Sequence, residues 1–247
     1  MNLKNKTVLI VGGSQGMGLG AAKQALHAGA KVVLLSRDQL KLDQIVETLG
    51  SNCRRIVGDI TAIDSYKTLL EEAGPFDHLF ISASPGGSTT FDTAYTSIGQ
   101  TYLYGKFWYT FSFLQAALPF INEKGSITLL SGGFAVSPHP EHVLVTVAFS
   151  AIEGLARALA ISLAPLRVNA IRPTDIEKDT STFQSAAAKE QYETETASAT
   201  LTGRIGRVED IGETVVYLMS NPFITGQIIE LDGGASISYY RFRGADR

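Results

Sequence analysis

The chain has 247 residues, 45% of them hydrophobic, which suits one large α/β domain. Its net charge is −3, and no basic run marks a nucleic-acid footprint. Cys53 is the only cysteine, which excludes an intrachain disulfide, and four scattered histidines give no metal-ligand spacing.

From the start of the chain, Lys4 and Lys6 are too few for a signal n-region. The apolar run after them is broken by Gly12 and Gly13 and is too short for a bilayer. A cytoplasmic protein with no membrane and no nucleic-acid partner is expected. Residues 7–11 read as a buried strand, followed at once by Gly12-Gly13-Ser14-Gln15-Gly16-Met17-Gly18 and a helical run. Gly12 suits a tight turn, Gly16 a close approach of backbone to a pyrophosphate, and Gly18 close helix packing. The helix N-terminus then faces the phosphate charge. The second strand, 31–35, ends in Ser36-Arg37. An acidic residue there would hold the ribose hydroxyls of NAD, whereas a hydroxyl and a guanidinium suit the 2′-phosphate of NADP(H). Asp38 reads as the N-cap of the next helix.

Further strands are expected at 53–57, 77–81, 125–130, 166–171 and 228–231. Helices are expected near 17–29, 38–49, 64–73, 95–121, 143–163, 183–198 and 209–219. Cys53 falls on a strand and reads as buried packing. Alternating strands and helices imply a single Rossmann-type domain over 1–247. Its core would be a doubly wound parallel sheet of about seven strands with helices on both faces. A ligand crevice belongs at the carboxyl ends of the strands. The irregular stretches 82–94, 131–142 and 172–182 all come after strands and are expected at its rim. The closing Tyr239-Tyr240-Arg241-Phe242-Arg243 reads as an interface arm or a frayed end.

With these residues the chain resembles the short-chain dehydrogenase/reductase family over nearly its whole length. Gly58-Asp59-Ile60 resembles the family's adenine-contacting strand end. The stretch from Ser150 to Ala160 resembles the active-site helix, and Arg167-Val168-Asn169-Ala170-Ile171-Arg172-Pro173 the strand leading to the nicotinamide. Gly203-Arg204-Ile205-Gly206-Arg207 and Ile224-Thr225-Gly226-Gln227, closing in Leu231-Asp232-Gly233-Gly234, resemble its C-terminal signature. The resemblance implies NADP(H) held by Gly12, Ser14, Gln15, Gly16, Met17, Gly18, Ser36, Arg37, Asp59, Ile60, Ser82, Ala83, Pro173 and Ile176. It also implies a homo-oligomer, dimer or tetramer, with helices 95–121 and 143–163 at one interface, and a substrate lid over 176–202.

The family's Asn-Ser-Tyr-Lys tetrad is missing. Its positions fall on Tyr102, Gly132, Val145 and Phe149, and no tyrosine lies between Tyr109 and Tyr192, nor any lysine between Lys124 and Lys178. Ser82-Ala83-Ser84-Pro85 and Pro173-Thr174-Asp175 replace two further family motifs. Three readings are open. The first is a non-standard NADP(H)-dependent reductase that passes hydride to a small organic acceptor such as an imine or iminium. Asp175 would stabilise that cation, or Tyr102 would act as acid, with Tyr102 and Lys106 at i, i+4 spacing. Ser131 would orient the substrate, and His142 or His139 is an alternative acid. The second is an NADP(H)-binding protein without turnover, a sensor or assembly partner. The third is a non-redox cyclase or isomerase in the old pocket.

Overall fold

The computed structural model describes residues 1–83, 90–92 and 102–238. Ser84, Pro85, the first part of the helix expected at 95–121 and the stretch Tyr239–Arg247 lie outside the described residues. Seven parallel strands form one sheet: β1 Thr7–Val11, β2 Lys31–Ser36, β3 Cys53–Val57, β4 Phe76–Ile81, β5 Ile121–Leu130, β6 Arg167–Pro173 and β7 Ile228–Leu231. Their order is β3-β2-β1-β4-β5-β6-β7. The order reverses between β1 and β4, where Val11 pairs with both Leu35 and Ile81.

The strands are near-continuous apolar runs because both faces are covered. Side chains alternate between faces along a strand. Leu9, Val11, Val33 and Leu35 therefore join one core, with Phe113, Ile127, Leu129, Ile152 and Leu155. Val8, Ile10, Val32 and Leu34 join the other, with Ala21, Ala25, Leu42, Ile211 and Val215. The first core is roofed by α3 (Tyr66–Ala73), α4 (Tyr109–Ala117) and α5 (Val143–Ser162). The second is roofed by α1 (Gly16–His27), α2 (Gln39–Leu49) and α7 (Val208–Ser220). Helix α5 is long and apolar enough to cross a membrane by length and composition, yet it lays Ile152, Leu155 and Ala156 on the sheet. Cys53 is buried, and burial pushes its thiol up to about 11, so it is inert packing.

Local signals set the boundaries. Asp38 accepts a hydrogen bond from the backbone N–H of Lys41 at 3.0 Å and caps α2. Ser185 does the same for Ala188 at the start of α6 (Ala186–Ala199), a helix with no buried residue. Two boundaries differ from expectation by four residues. The helix expected to run to 121 ends at Ala117, because Pro119 cannot continue it, and β5 starts four residues early at Ile121. Ahead of α4 the backbone forms a π turn over Tyr104–Trp108, which periodicity alone does not announce.

Candidate functional site

The carboxyl ends of β1 to β5 open into a cavity of about 590 Å³ at the point where the strand order reverses. One end is lined by Gly12, Ser14, Gln15, Gly16, Met17 and Gly18 with Ser36, Arg37, Asp38, Lys41, Asp59 and Ile60; the middle by Ser82 and Ala83; the far end by Gly105, Lys106, Leu130, Ser131 and Phe149. Pro173, Asp175 and Ile176 are not among the lining residues.

The glycine turn is shaped by close approaches. Gly12 has φ +88°, and a Cβ there would lie 2.7 Å from the Ala83 nitrogen. A Cβ on Gly18 would lie 2.2 Å from the Gly12 carbonyl oxygen, so α1 can start this close to β1 only with glycine. Ser82 holds the turn against β4: its Oγ donates to the carbonyls of Val11 and Gly12, each at 3.1 Å.

At the end of β2 the Oγ atoms of Ser14 and Ser36 share a hydrogen bond of 2.8 Å. Arg37 is exposed, its guanidinium 3.7 Å from the Asp59 carboxylate. Asp59 also accepts from the Thr61 N–H at 2.8 Å. Lys41, which sequence reasoning passed over, reaches Gln15 with its Nζ at 3.2 Å and lines the same space. Its signal was available, because a residue three past the N-cap sits on the first turn of α2, over the end of β2. Two cations and two hydroxyls thus gather at the end of β2, with the carboxylate of Asp59 beside Arg37 and that of Asp38 4.0 Å from Lys41.

The far end lacks the expected chemistry. Val145 is buried, and Phe149 lies against Gly132. Tyr102 is buried with Val145 and Ala148, outside the cavity lining. Ser131 reaches the cavity, but its Oγ donates to Glu153 Oε1 at 2.9 Å. Glu153 is in turn 3.3 Å from Arg172 Nε, which ties the hydroxyl into a buried ion pair. His142 stacks on Phe134 with ring centroids 4.5 Å apart and lies outside the lining.

Asp175 does not face the cavity as its place after β6 suggested; it is exposed and its carboxylate meets the Tyr192 hydroxyl of α6 at 3.4 Å. The physical reason is the strand extension that Ile176 makes with Gly206, which commits this segment to the β7 side. Among the described residues no group of three or more metal-ligating side chains gathers.

Among the described residues lining the far end, one carries an ionisable side chain. Lys106 is only 1% exposed, lines the cavity, and lies with its Nζ 5.7 Å from the centre of the Phe149 ring. Burial pushes its ammonium down to about 7. It sits inside the π turn, directly after Gly105.

Comparison with known proteins agrees with the fold. A sequence family described as enoyl-(acyl carrier protein) reductase matches residues 11–236. The short-chain dehydrogenase/reductase MalC of Malbranchea aurantiaca is 29% identical, covering 94% of this chain and 95% of its own. Its solved structure, described as a reductase/Diels-Alderase, superposes with a TM-score of 0.86 at 24% identity over 95% and 98% of the two chains. A short-chain dehydrogenase/reductase from Brucella melitensis superposes with a TM-score of 0.87 at 25% identity, over 95% and 99%. An NADPH-bound short-chain oxidoreductase from Pseudomonas aeruginosa PAO1, described as containing an atypical catalytic center, does so at 0.87 and 24%, over 94% and 97%. With the glycine turn, the strand order and a match over most of its length, the chain belongs to the short-chain dehydrogenase/reductase family.

Proposed function

We propose that the protein is an NADP(H)-dependent reductase that acts on a small organic acceptor without the family's tyrosine and lysine. The observation that carries the cofactor choice is the set Ser14, Ser36, Arg37 and Lys41 around the end of β2. Their donors suit a dianionic phosphate, and β2 ends in Ser36, with Arg37 next, where a carboxylate would hold the hydroxyls of an unphosphorylated ribose. The N-terminus of α1 and the open space over Gly16 receive the pyrophosphate, since a Cβ there would meet nothing within 4 Å. A nicotinamide cofactor held by these residues would supply a hydride at the Lys106 end of the cavity. Ser131, Glu153 and Arg172 hold the floor of that end rigid, while Phe149 and Leu130 keep it apolar. A Pseudomonas protein of the same fold is described as NADPH-bound, which supports a nicotinamide cofactor here.

An iminium acceptor loses support, because Asp175 is not in the cavity to stabilise it and the charged group that is there is a cation. A second reading, cofactor binding without turnover, is favoured by Val145 and Phe149 at the two positions that move the proton in the family pattern. The reductase/Diels-Alderase description of the MalC structure lends weight to the third reading, a non-redox cyclase or isomerase in the pocket. The exposed Trp108 of the π turn, with Val147 and Ile161 on α5, supports a homo-oligomer built on these helices.

The test is a calorimetric titration with NADPH and NADH. NADPH binds more tightly to the native protein, and Arg37→Glu weakens NADPH by roughly ten- to a hundredfold while changing NADH little. Equal weakening of both would remove the phosphate assignment.

A further inference from the structure

We infer that Lys106 is the proton donor at the reaction end of the cavity, and that the acceptor it serves is a carbonyl group. This rests on the cofactor reading above. The first ground is the rest of the lining at that end. Gly105, Leu130 and Phe149 have no side-chain proton to give, and the hydroxyl of Ser131 is spent on Glu153. Tyr102, His142 and Asp175 lie outside the lining. Among the described residues, Lys106 alone in this part of the lining has an ionisable side chain.

The second ground is the cost of keeping a lysine here. Its side chain is buried, and among the described residues no hydrogen bond or ion pair reaches its Nζ; the Phe149 ring is its one stabilising neighbour. A buried unpaired ammonium is destabilising, so a purely structural position would be filled better by methionine or leucine. The groups nearby do not offset that cost. Glu153 of α5 is occupied by Ser131 and by Arg172 of β6; Tyr102 shares the helix of Lys106; His142 stands at the start of α5. Desolvation alone therefore sets the amine, and brings it to about 7, where it can both hold and release a proton near neutrality. The π turn is the backbone device that carries the residue, a feature frequent at functional sites.

The sign of the charge selects the acceptor class. An ammonium in an apolar pocket repels an iminium and attracts the oxygen of a carbonyl, which gains negative charge during hydride addition. In the step, the hydride forms a new C–H bond at the carbonyl carbon and the C=O π pair moves to oxygen. The Nζ–H bond breaks as the O–H bond forms. An alcohol, the oxidised cofactor and a neutral Lys106 amine result, and the amine takes a proton back from water.

The experiment has two arms. In the first, the amine is titrated without turnover: acetic anhydride labels the folded protein across a pH series, and mass spectrometry reads Lys106 against the surface lysines. Labelling of Lys106 rises through about pH 7, and labelling through the range of the other lysines would overturn the proposal. In the second, reduction of a panel of aldehydes and ketones by NADPH is monitored with native protein, Lys106→Met and Lys106→Arg. Native kcat/KM is level at acid pH and falls above about 7. Both variants lose roughly 10²- to 10⁴-fold, with NADPH affinity kept within about threefold, because arginine keeps the charge but does not release the proton. Activity surviving in either variant with an unchanged pH profile would overturn the assignment. NADPH binding with no carbonyl reduced would overturn Lys106 alone. Failure of the native protein to bind NADPH would overturn the cofactor reading, and the assignment with it.

Discussion

The Phe149 ring lies against Gly132, the two positions at which the sequence register expects the family's lysine and serine. The two departures are sterically one. A Cβ at position 132 would fall 2.3 Å from the Phe149 ring, closer than real Cβ contacts come. Serine at 132 and phenylalanine at 149 therefore exclude each other unless the ring moves out of the core it shares with Tyr102 and Val145. Gly132→Ser is expected to destabilise by about 1–3 kcal/mol, as overpacking does. Phe149→Ala costs stability by itself but removes the clash, so the double variant Gly132→Ser/Phe149→Ala is more stable than the sum of the two singles. A double-mutant cycle in urea measures the coupling, and additive costs would show that the ring yields freely. A serine at 132 therefore needs a change at Phe149 with it.

Among the elements, α1 and α7 cross with no room between them. A Cβ on Gly212 would lie 2.5 Å from the Gly20 carbonyl oxygen, and one on Gly20 would lie 2.3 Å from the Val208 oxygen. Alanine at 212 gains roughly 1 kcal/mol of helix propensity. It loses more, because the opposing atoms are backbone and cannot rotate away. Gly212→Ala is expected to lower stability by a net 1–2 kcal/mol or so, and through α1 to weaken NADPH binding at the glycine turn. A raised Tm would show that the helices separate at little cost. This crossing matters to the site because α1 presents its N-terminus to the pyrophosphate.

The strands, the caps and the shape of the glycine turn were legible because their signals are local: an apolar run, Asp38 ahead of a helix, glycines at turn spacing. The reaction end was not. A helical reading of Tyr102-Leu103-Tyr104-Gly105-Lys106 puts the tyrosine and the lysine on one face, and the tyrosine holds the asparagine position of the family pattern. A π turn inserts one residue relative to α geometry and rotates the downstream side chains by about 100°, and nothing in a single sequence marks it. Asp175 was misplaced for a similar reason: the bridge between Ile176 and Gly206 is a contact between distant segments.

For the molecule as a whole, two buried bases make stability depend on pH in separate windows. His78 lies on β4, beside the β1–β4 switch, its Nδ1 2.9 Å from Ser126 Oγ on β5. Burial pushes its imidazole down to about 4 from 6.5. Between those values the unfolded chain holds a proton that the folded protein refuses, so stability is full above pH 6.5 and is lost as pH falls toward 4. The loss is about 3 kcal/mol for a shift of this size. Asp77 next to it, held below the usual carboxylate range by Lys6 and the Thr7 N–H, titrates only beneath that window. Lys106 obeys the same sign higher up: its folded value of about 7 lies under the unfolded 10.5, so stability rises again as pH climbs between them. Thermal or urea denaturation across pH 4 to 9 is therefore expected to show two rising limbs, because above pH 9 the thiol of Cys53, pushed up to about 11 by burial, turns the slope the other way. His78→Asn flattens the lower limb and leaves the upper. Lys106→Met flattens the upper, raises Tm most at about pH 7 and below, and costs activity as it does so. If Lys106→Met leaves both the upper limb and Tm unchanged, the amine is not desolvated in the folded protein, and the physical ground for its role as proton donor is gone.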